Sequence, residues 1–222
     1  MSFTSRRKKD LKSFCENDHK DAYVIRIATE GGITEPEYFR SAVMGGRCSR
    51  IRVEVLPTKG GFSSLDHVFA RLKQSILDDN GLEADQYWIV ADMDHYIKTN
   101  RMEAFVDSVI DFNARNNLKF QLALSNPKFE VWLALHQRHN LKSQGIINLL
   151  ASSPETMVRE IDDHYKKSFN TRFITHQSVL LAVKQSIALD KNKQQKVPAC
   201  PGTYVYRLVQ EILKVLARSQ KS

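Results

Sequence analysis

Between Tyr23 and Leu135 the chain alternates short β-rich runs with helical patterns, and this alternation is what most restricts its fold. Tyr23-Val24-Ile25-Arg26-Ile27-Ala28 predicts a first strand that ends at the turn signal Thr29-Glu30-Gly31-Gly32. Thr34-Glu35-Pro36-Glu37 supplies a cap, a first-turn proline and early acids, so a helix through about Val43 follows, stopped by Gly45-Gly46. Ile51 to Leu56 alternates as a second strand. Gly60-Gly61 turns the chain, and Ser63 or Ser64 caps a helix reaching Ile76 or Leu77. Gln86 to Ala91 is nearly all apolar, as expected of a strand covered on both faces. Met102 to Asn116 repeats apolar residues at helical spacing, Phe120 to Leu124 predicts a fourth strand, and Ser125-Asn126-Pro127 opens a helix holding Phe129 to Leu135. Each parallel pair needs a crossover, so this order predicts an α/β fold with a parallel sheet and helices on both faces.

Beyond His139 the pattern turns helical. Arg172-Phe173-Ile174 reads as an extended stretch, Ser178 to Leu189 as a helix, Asp190 to Gly202 as a polar loop and Thr203 to Ala217 as a closing amphipathic helix. Three parts follow: a basic arm over 1–20, an α/β core over 21–139, and a mainly helical basic region over 140–222 packed on that core.

Charge divides along the same lines. Residues 1–20 hold 6 basic and 3 acidic residues, 21–162 hold 16 and 19, and 163–222 hold 11 and 3, for a net +8 overall. Basic ends attract polyanions by counterion release, whereas an acidic centre repels phosphate unless a cation neutralises it. Lys166, Lys167, Arg172, Lys193 and Lys196 are the candidate nucleic-acid contacts, with simple solvation of helices and loops as the alternative. No apolar run is long enough for a membrane span, and the basic start lacks the apolar stretch of a secretory signal. Three widely spaced cysteines, Cys15, Cys48 and Cys200, suggest neither a disulfide framework nor a CxxC zinc site, and the expected location is the cytoplasm.

Ligand chemistry in open parallel sheets lies at the carboxyl ends of the strands. Glu30 follows the first strand there, and Asp92 and Asp94 follow the third. If those strands are neighbours, the three carboxylates converge, repel one another and favour a bound cation, for which Mg²⁺ or Mn²⁺ is the expected choice. In an extended segment Asp92 and Asp94 would point to one side while Met93 faced the core. Lys128 and Glu130 fall at the same edge, where Lys128 would offset phosphate charge and Glu130 would add a ligand or orient water. Alone, that pair reads equally as ordinary first-turn residues; beside three edge carboxylates the functional reading is preferred. His95 is a further candidate for the metal or a phosphate. His136 and His139 have a spacing that can bind zinc or simply close a helix, Trp88 and Trp132 read as core, and Tyr204 and Tyr206 beside Arg207 either stack on bases or pack the last helix. No GxGxxG or Walker A sequence is present, so nucleotide hydrolysis would need another subunit.

Three ordered segments carry a family resemblance. Thr29-Glu30-Gly31-Gly32-Ile33-Thr34-Glu35-Pro36-Glu37-Tyr38-Phe39, Trp88-Ile89-Val90-Ala91-Asp92-Met93-Asp94 and Ser125-Asn126-Pro127-Lys128-Phe129-Glu130-Val131-Trp132-Leu133-Ala134-Leu135-His136 resemble the EGxTExxYF, VxDxD and SNPxFExWLLLH motifs of the RloB family. Pro201-Gly202-Thr203-Tyr204-Val205 resembles the family's pattern before its last helix. The family is itself similar to Toprim domains, the metal-dependent fold of topoisomerases, primases and overcoming-lysogenization-defect nucleases. The resemblance implies a Toprim-like sheet of strand order 2-1-3-4, with Glu30 as the Toprim glutamate and Asp92 and Asp94 as its acidic pair. It further implies a metal-dependent endonuclease acting on DNA or RNA, tRNA included, in anti-phage defence, beside an ABC-type ATPase in some settings. Gly32 and Ile33 stand where the family more often has a polar pair. A non-cleaving binding or regulatory module is the alternative, and the sequence leaves a homo-oligomer open.

Overall fold

The computed structural model describes residues 22–41, 44, 51–58, 64–78, 84–96, 101–116, 118–166 and 168–219. The basic arm, Cys15, Cys48, the two glycine pairs at 45–46 and 60–61, Val43, Ser63 and Lys167 lie outside the described residues.

The predicted alternation is realised as β1 (Tyr23–Thr29), α1 (Thr34–Phe39), β2 (Ile51–Val55), α2 (Leu65–Asp78), β3 (Gln86–Asp92), α3 (Arg101–Asn116), β4 (Phe120–Asn126) and α4 (Glu130–Ala134). The chain continues as α5 (Gln144–Ser152), α6 (Pro154–Arg159), α7 (His176–Leu189), β5 (Gly202–Thr203) and α8 (Val205–Ser219). The sheet order is β2-β1-β3-β4-β5, with the first four strands parallel and β5 antiparallel to β4. This is an α/β fold whose strand order reverses between β1 and β3, which makes the carboxyl ends of those two strands the natural place for a ligand.

Side chains alternate across the strands as a period of two requires. Ile25, Ile27, Trp88, Val90 and Ala123 face one layer, where they bury against Tyr38, Phe39, Phe129, Trp132 and residues of α5 to α8. Ala28, Ile89, Ala91 and Leu124 face the other, against Leu65, Val68 and Leu72 of α2 and Met102, Phe105 and Val109 of α3. Arg26 also points into the second layer, where its buried guanidinium donates to Glu54 at 2.7 and 2.9 Å. The pairing is what makes that burial tolerable, since a lone buried charge costs several kcal/mol.

Several local expectations are corrected. Thr34 is the first residue of α1 and not its cap, and the described helix ends at Phe39. Ser125 and Asn126 extend β4, so the helix expected to open at Ser125 begins at Glu130. Arg172 and Phe173 form a 3-10 turn with Thr171 where an extended stretch was expected. Helix α7 starts at His176, set by a reciprocal capping box between Thr175 and Ser178.

The last quarter of the chain is woven into the sheet. β5 pairs Thr203 with Ser125 and Gly202 with Asn126, the Ser125 and Thr203 hydroxyls lie 2.9 Å apart, and Asn126 Nδ2 donates to Pro198 O at 3.0 Å. No side chain larger than hydrogen fits at Gly202, because a Cβ would sit 2.5 Å from the Ala199 carbonyl oxygen.

Candidate functional site

The register of β1 on β3 sets Thr29 beside Val90, which leaves Glu30 and Asp92 emerging together from the sheet. Glu30 donates its backbone N–H to Val90 O at 2.9 Å, and its carboxylate accepts from the Asp92 backbone N–H and from the Tyr96 hydroxyl, both at 3.1 Å. Asp92 Oδ1 accepts from the Phe129 backbone N–H at 2.8 Å, which ties the end of β3 to the segment between β4 and α4.

β3 ends at Asp92, so Asp94 lies in a turn rather than in the extended geometry expected of the pair. Met93 is buried as expected and Tyr96 N–H donates back to Met93 O at 2.9 Å. The Met93 and Asp94 N–H groups both meet the Pro127 carbonyl, at 3.0 and 3.1 Å. Asp94 Oδ2 stands 3.8 Å from Lys128 Nζ, and its Oδ1 is a buried oxygen that receives no hydrogen bond, 3.5 Å from the exposed His95 imidazole.

Lys128 donates to Glu155 at 2.7 Å, and that hydrogen bond raises its pKa. Its charge is therefore shared between Glu155 of α6 and Asp94. Glu130 accepts from the buried Tyr165 hydroxyl at 2.5 Å. Burial pushes the Tyr165 phenol up, and the Glu130 charge adds to that.

The structure adds a carboxylate that sequence reasoning had treated only as an early helix acid. Glu35, in the first turn of α1, is 5% exposed and accepts from the Gly31 N–H at 3.0 Å. A Cβ at Gly31 would overlap that carboxylate, so any larger residue there would have to displace the Glu35 side chain. Burial raises the Glu35 pKa, with Glu130 reinforcing it. Asp92 is held well above the ordinary aspartate value by burial first, then by the charges of Glu35, Glu130, Glu30 and Asp94. Five acids thus share one electrostatic neighbourhood at the carboxyl edge of β1, β3 and β4. Glu35 carries one retrospective signal: it lies five positions after Glu30 in a turn entering that edge.

Burial pushes Glu30 from 4.5 up to about 7, against the opposing hydrogen bonds from Asp92 and Tyr96 and with a further push from Glu35. The folded protein then holds this proton more tightly than the unfolded chain. The stability it contributes is complete below the unfolded value, falls as pH rises and is lost above the folded value of about 7. Asp92 and Glu35 act in the same direction. Denaturant unfolding in the presence of chelator is expected to show stability declining across that window, with a flatter profile for Glu30→Gln.

The donor set is all oxygen and hard, it repels itself, and it includes the orphaned Asp94 Oδ1, all of which fits Mg²⁺ or Mn²⁺. As placed, no three His, Cys, Asp or Glu side chains among the described residues form a ready group for one ion. The expected convergence of Glu30, Asp92 and Asp94 is therefore electrostatic, with the Glu30 carboxylate turned to the backbone of Asp92.

The remaining candidates separate. His136 is buried, and burial lowers its pKa to about 4. Its Nδ1 meets the Trp132 carbonyl, which can only accept, so Nδ1 carries the proton and Nε2 accepts from the Tyr38 hydroxyl, both at 3.1 Å. His139 Nε2 lies 2.9 Å from Ala134 O. Both histidines thus close the end of α4 through hydrogen bonds to backbone and Tyr38. Tyr204 and Tyr206 are buried, the Arg207 guanidinium lies 3.5 Å over the Tyr204 ring, and Tyr206 and Arg207 both bond Asp190. They pack α8 rather than stack on bases. Lys196 pairs with Asp107 of α3 at 2.6 Å, whereas Lys166 lines a cleft beyond α6. Lys193 and Arg172 are exposed.

Fold and edge together define an α/β protein with an acidic cluster at its topological switch point. The family described as RloB-like protein matches residues 25–212, most of the chain, and the chain belongs to that family. No curated protein and no solved structure matches it. No described helix is long and apolar enough to cross a membrane.

Proposed function

We propose that this RloB-like protein is a metal-dependent, Toprim-type nuclease that hydrolyses phosphodiester bonds of DNA or RNA, tRNA included, in anti-phage defence. The observation that carries the reading is the raised proton affinity of Asp92 among four other carboxylates at the carboxyl edge. Acids are kept together at such a cost where a cation or a proton transfer uses them.

Asp92, Asp94 and Glu30 would hold Mg²⁺ or Mn²⁺, with Glu130 close by. A bound ion supplies Lewis-acid stabilisation of charge on the phosphate. Glu30, held at the same edge by the Asp92 backbone N–H and the Tyr96 hydroxyl, would also take a proton from water or return one to the leaving oxygen. Lys128, released from Glu155 by an arriving phosphate, would oppose the charge that develops in the transition state. His95, exposed beside Asp94, stands where it can meet the same phosphate.

One observation favours a second reading, a regulatory module that waits on a partner such as an ABC-type ATPase: Glu30 and Lys128 both face protein groups in the structure. Both readings are tested by incubating the purified protein with plasmid DNA, RNA and tRNA in Mg²⁺, Mn²⁺ or chelator. The nuclease reading expects cleavage with metal, none in chelator, and loss in Glu30→Gln. Metal-independent cleavage, or full activity in Glu30→Gln, overturns it; cleavage only after adding the ATPase supports the second reading.

A further inference from the structure

Beyond α6 the surface opens into a cleft of about 640 Å³ lined by Arg159, Asp163, His164, Tyr165 and Lys166. That volume lies within the roughly 300–1,000 Å³ of small-ligand sites. One lining residue reaches the acidic edge: the Tyr165 hydroxyl donates to Glu130 at 2.5 Å.

The cations of the cleft differ from several others in the molecule. Arg26, Lys128, Lys196 and Arg207 each meet a carboxylate within 3.2 Å. Arg159 and Lys166 make no hydrogen bond or ion pair among the described residues, although the field of Arg159 reaches Glu155. Asp163, the one carboxylate among the lining residues, meets the exposed His164 Nδ1 at 2.9 Å. Two cations without an ion pair among the described residues therefore line one cleft, together with a phenol that bonds Glu130 of the acidic edge.

We infer that this cleft binds a backbone phosphate of a polynucleotide strand, held between Arg159 and Lys166, next to the segment presented to the acidic edge. The inference rests on the nuclease reading for the identity of the strand. It gives the strand a path: cations at the cleft, Tyr165 at the junction, and carboxylates beyond it. Neither Arg159 nor the cleft was apparent from the sequence, since Arg159 precedes Lys166 by a turn whose shape no local pattern reveals.

The test is fluorescence anisotropy of a labelled oligothymidylate over a salt series in chelator, where cleavage is silent. Arg159→Ala/Lys166→Ala is expected to weaken binding by roughly tenfold or more, and to reduce the slope of log K on log salt by about 0.7, the single-strand value for one phosphate contact. Arg159→Lys should bind close to wild type, and Lys214→Ala, whose cation sits on α8 paired with Glu211, should change little. Unchanged affinity and slope in the double variant overturn the inference, as does an equal loss in Lys214→Ala. Inorganic phosphate or a mononucleotide that competes as strongly per phosphate as the oligonucleotide also overturns it, by making the cleft a small-anion site. Cleft-dependent binding without cleavage under any metal condition leaves the cleft standing and removes the nuclease reading.

Discussion

Asp92→Asn is expected to abolish metal-dependent cleavage and, in the same molecule, to raise the melting temperature of the metal-free protein. Asparagine keeps an oxygen for the Phe129 N–H, so the link between β3 and the segment before α4 survives. What disappears is a buried charge opposed by Glu35, Glu130, Glu30 and Asp94. The stability gain should grow as pH rises, because only the wild type must ionise Asp92; each kcal/mol is worth roughly 2–4 °C at this size. Activity should fall by at least about a hundredfold, the usual scale for losing a main electrostatic contributor. Mg²⁺ completes the comparison. It should raise the wild-type melting temperature, by about 2.7 kcal/mol of linkage at one hundred times its dissociation constant, and leave Asp92→Asn unmoved. A variant that melts lower in chelator would show that the Asp92 charge is not a burden on the fold, and one that still responds to Mg²⁺ would show that Asp92 is not a ligand.

Trp132→Ala is expected to have the largest effect on stability alone. Trp132 is fully buried in the five-residue helix α4, its ring edge-on to Tyr38 at 6.0 Å and to His136 at 5.2 Å. So short a helix cannot stand by its own hydrogen bonds and is held by what it packs against. Truncation should cost about 3–5 kcal/mol, a fall of roughly 6–20 °C in melting temperature. Trp132→Phe should lose much less. Because α4 begins at Glu130, directly after Phe129 and Lys128, the alanine variant should also weaken activity below its own unfolding transition. A melting temperature within a degree or two of wild type would contradict the packing described.

What the sequence disclosed and withheld follows from the range of the interactions. The four parallel strands were legible because alternation and apolar runs are local, and Glu30 and Asp92 because they end such runs. The strand β5 was not legible: Gly202-Thr203 is two residues long and is a strand only because Ser125 and Asn126 lie beside it. Helix α4 was placed too early for the same reason, since Ser125 and Asn126 look like a helix start until β5 pairs with them. Glu155 lies 27 positions from Lys128 and Tyr165 lies 35 from Glu130. Such partners leave no periodicity to read. Glu35 was visible as a residue but not as a member of the cluster, because Glu130 and Asp92, the acids it faces, lie far from it in the chain.

The antiparallel pairing of β5 with β4 also has a consequence for when this protein becomes competent. All three acidic motifs have been synthesised once Glu130 is added, yet the strand end that presents Phe129 to Asp92 is braced by Thr203, Gly202 and Pro198. At about 5–20 residues per second, several seconds separate synthesis of the last acid from synthesis of its brace. A growing chain therefore carries every acid of the edge before it can hold them in register.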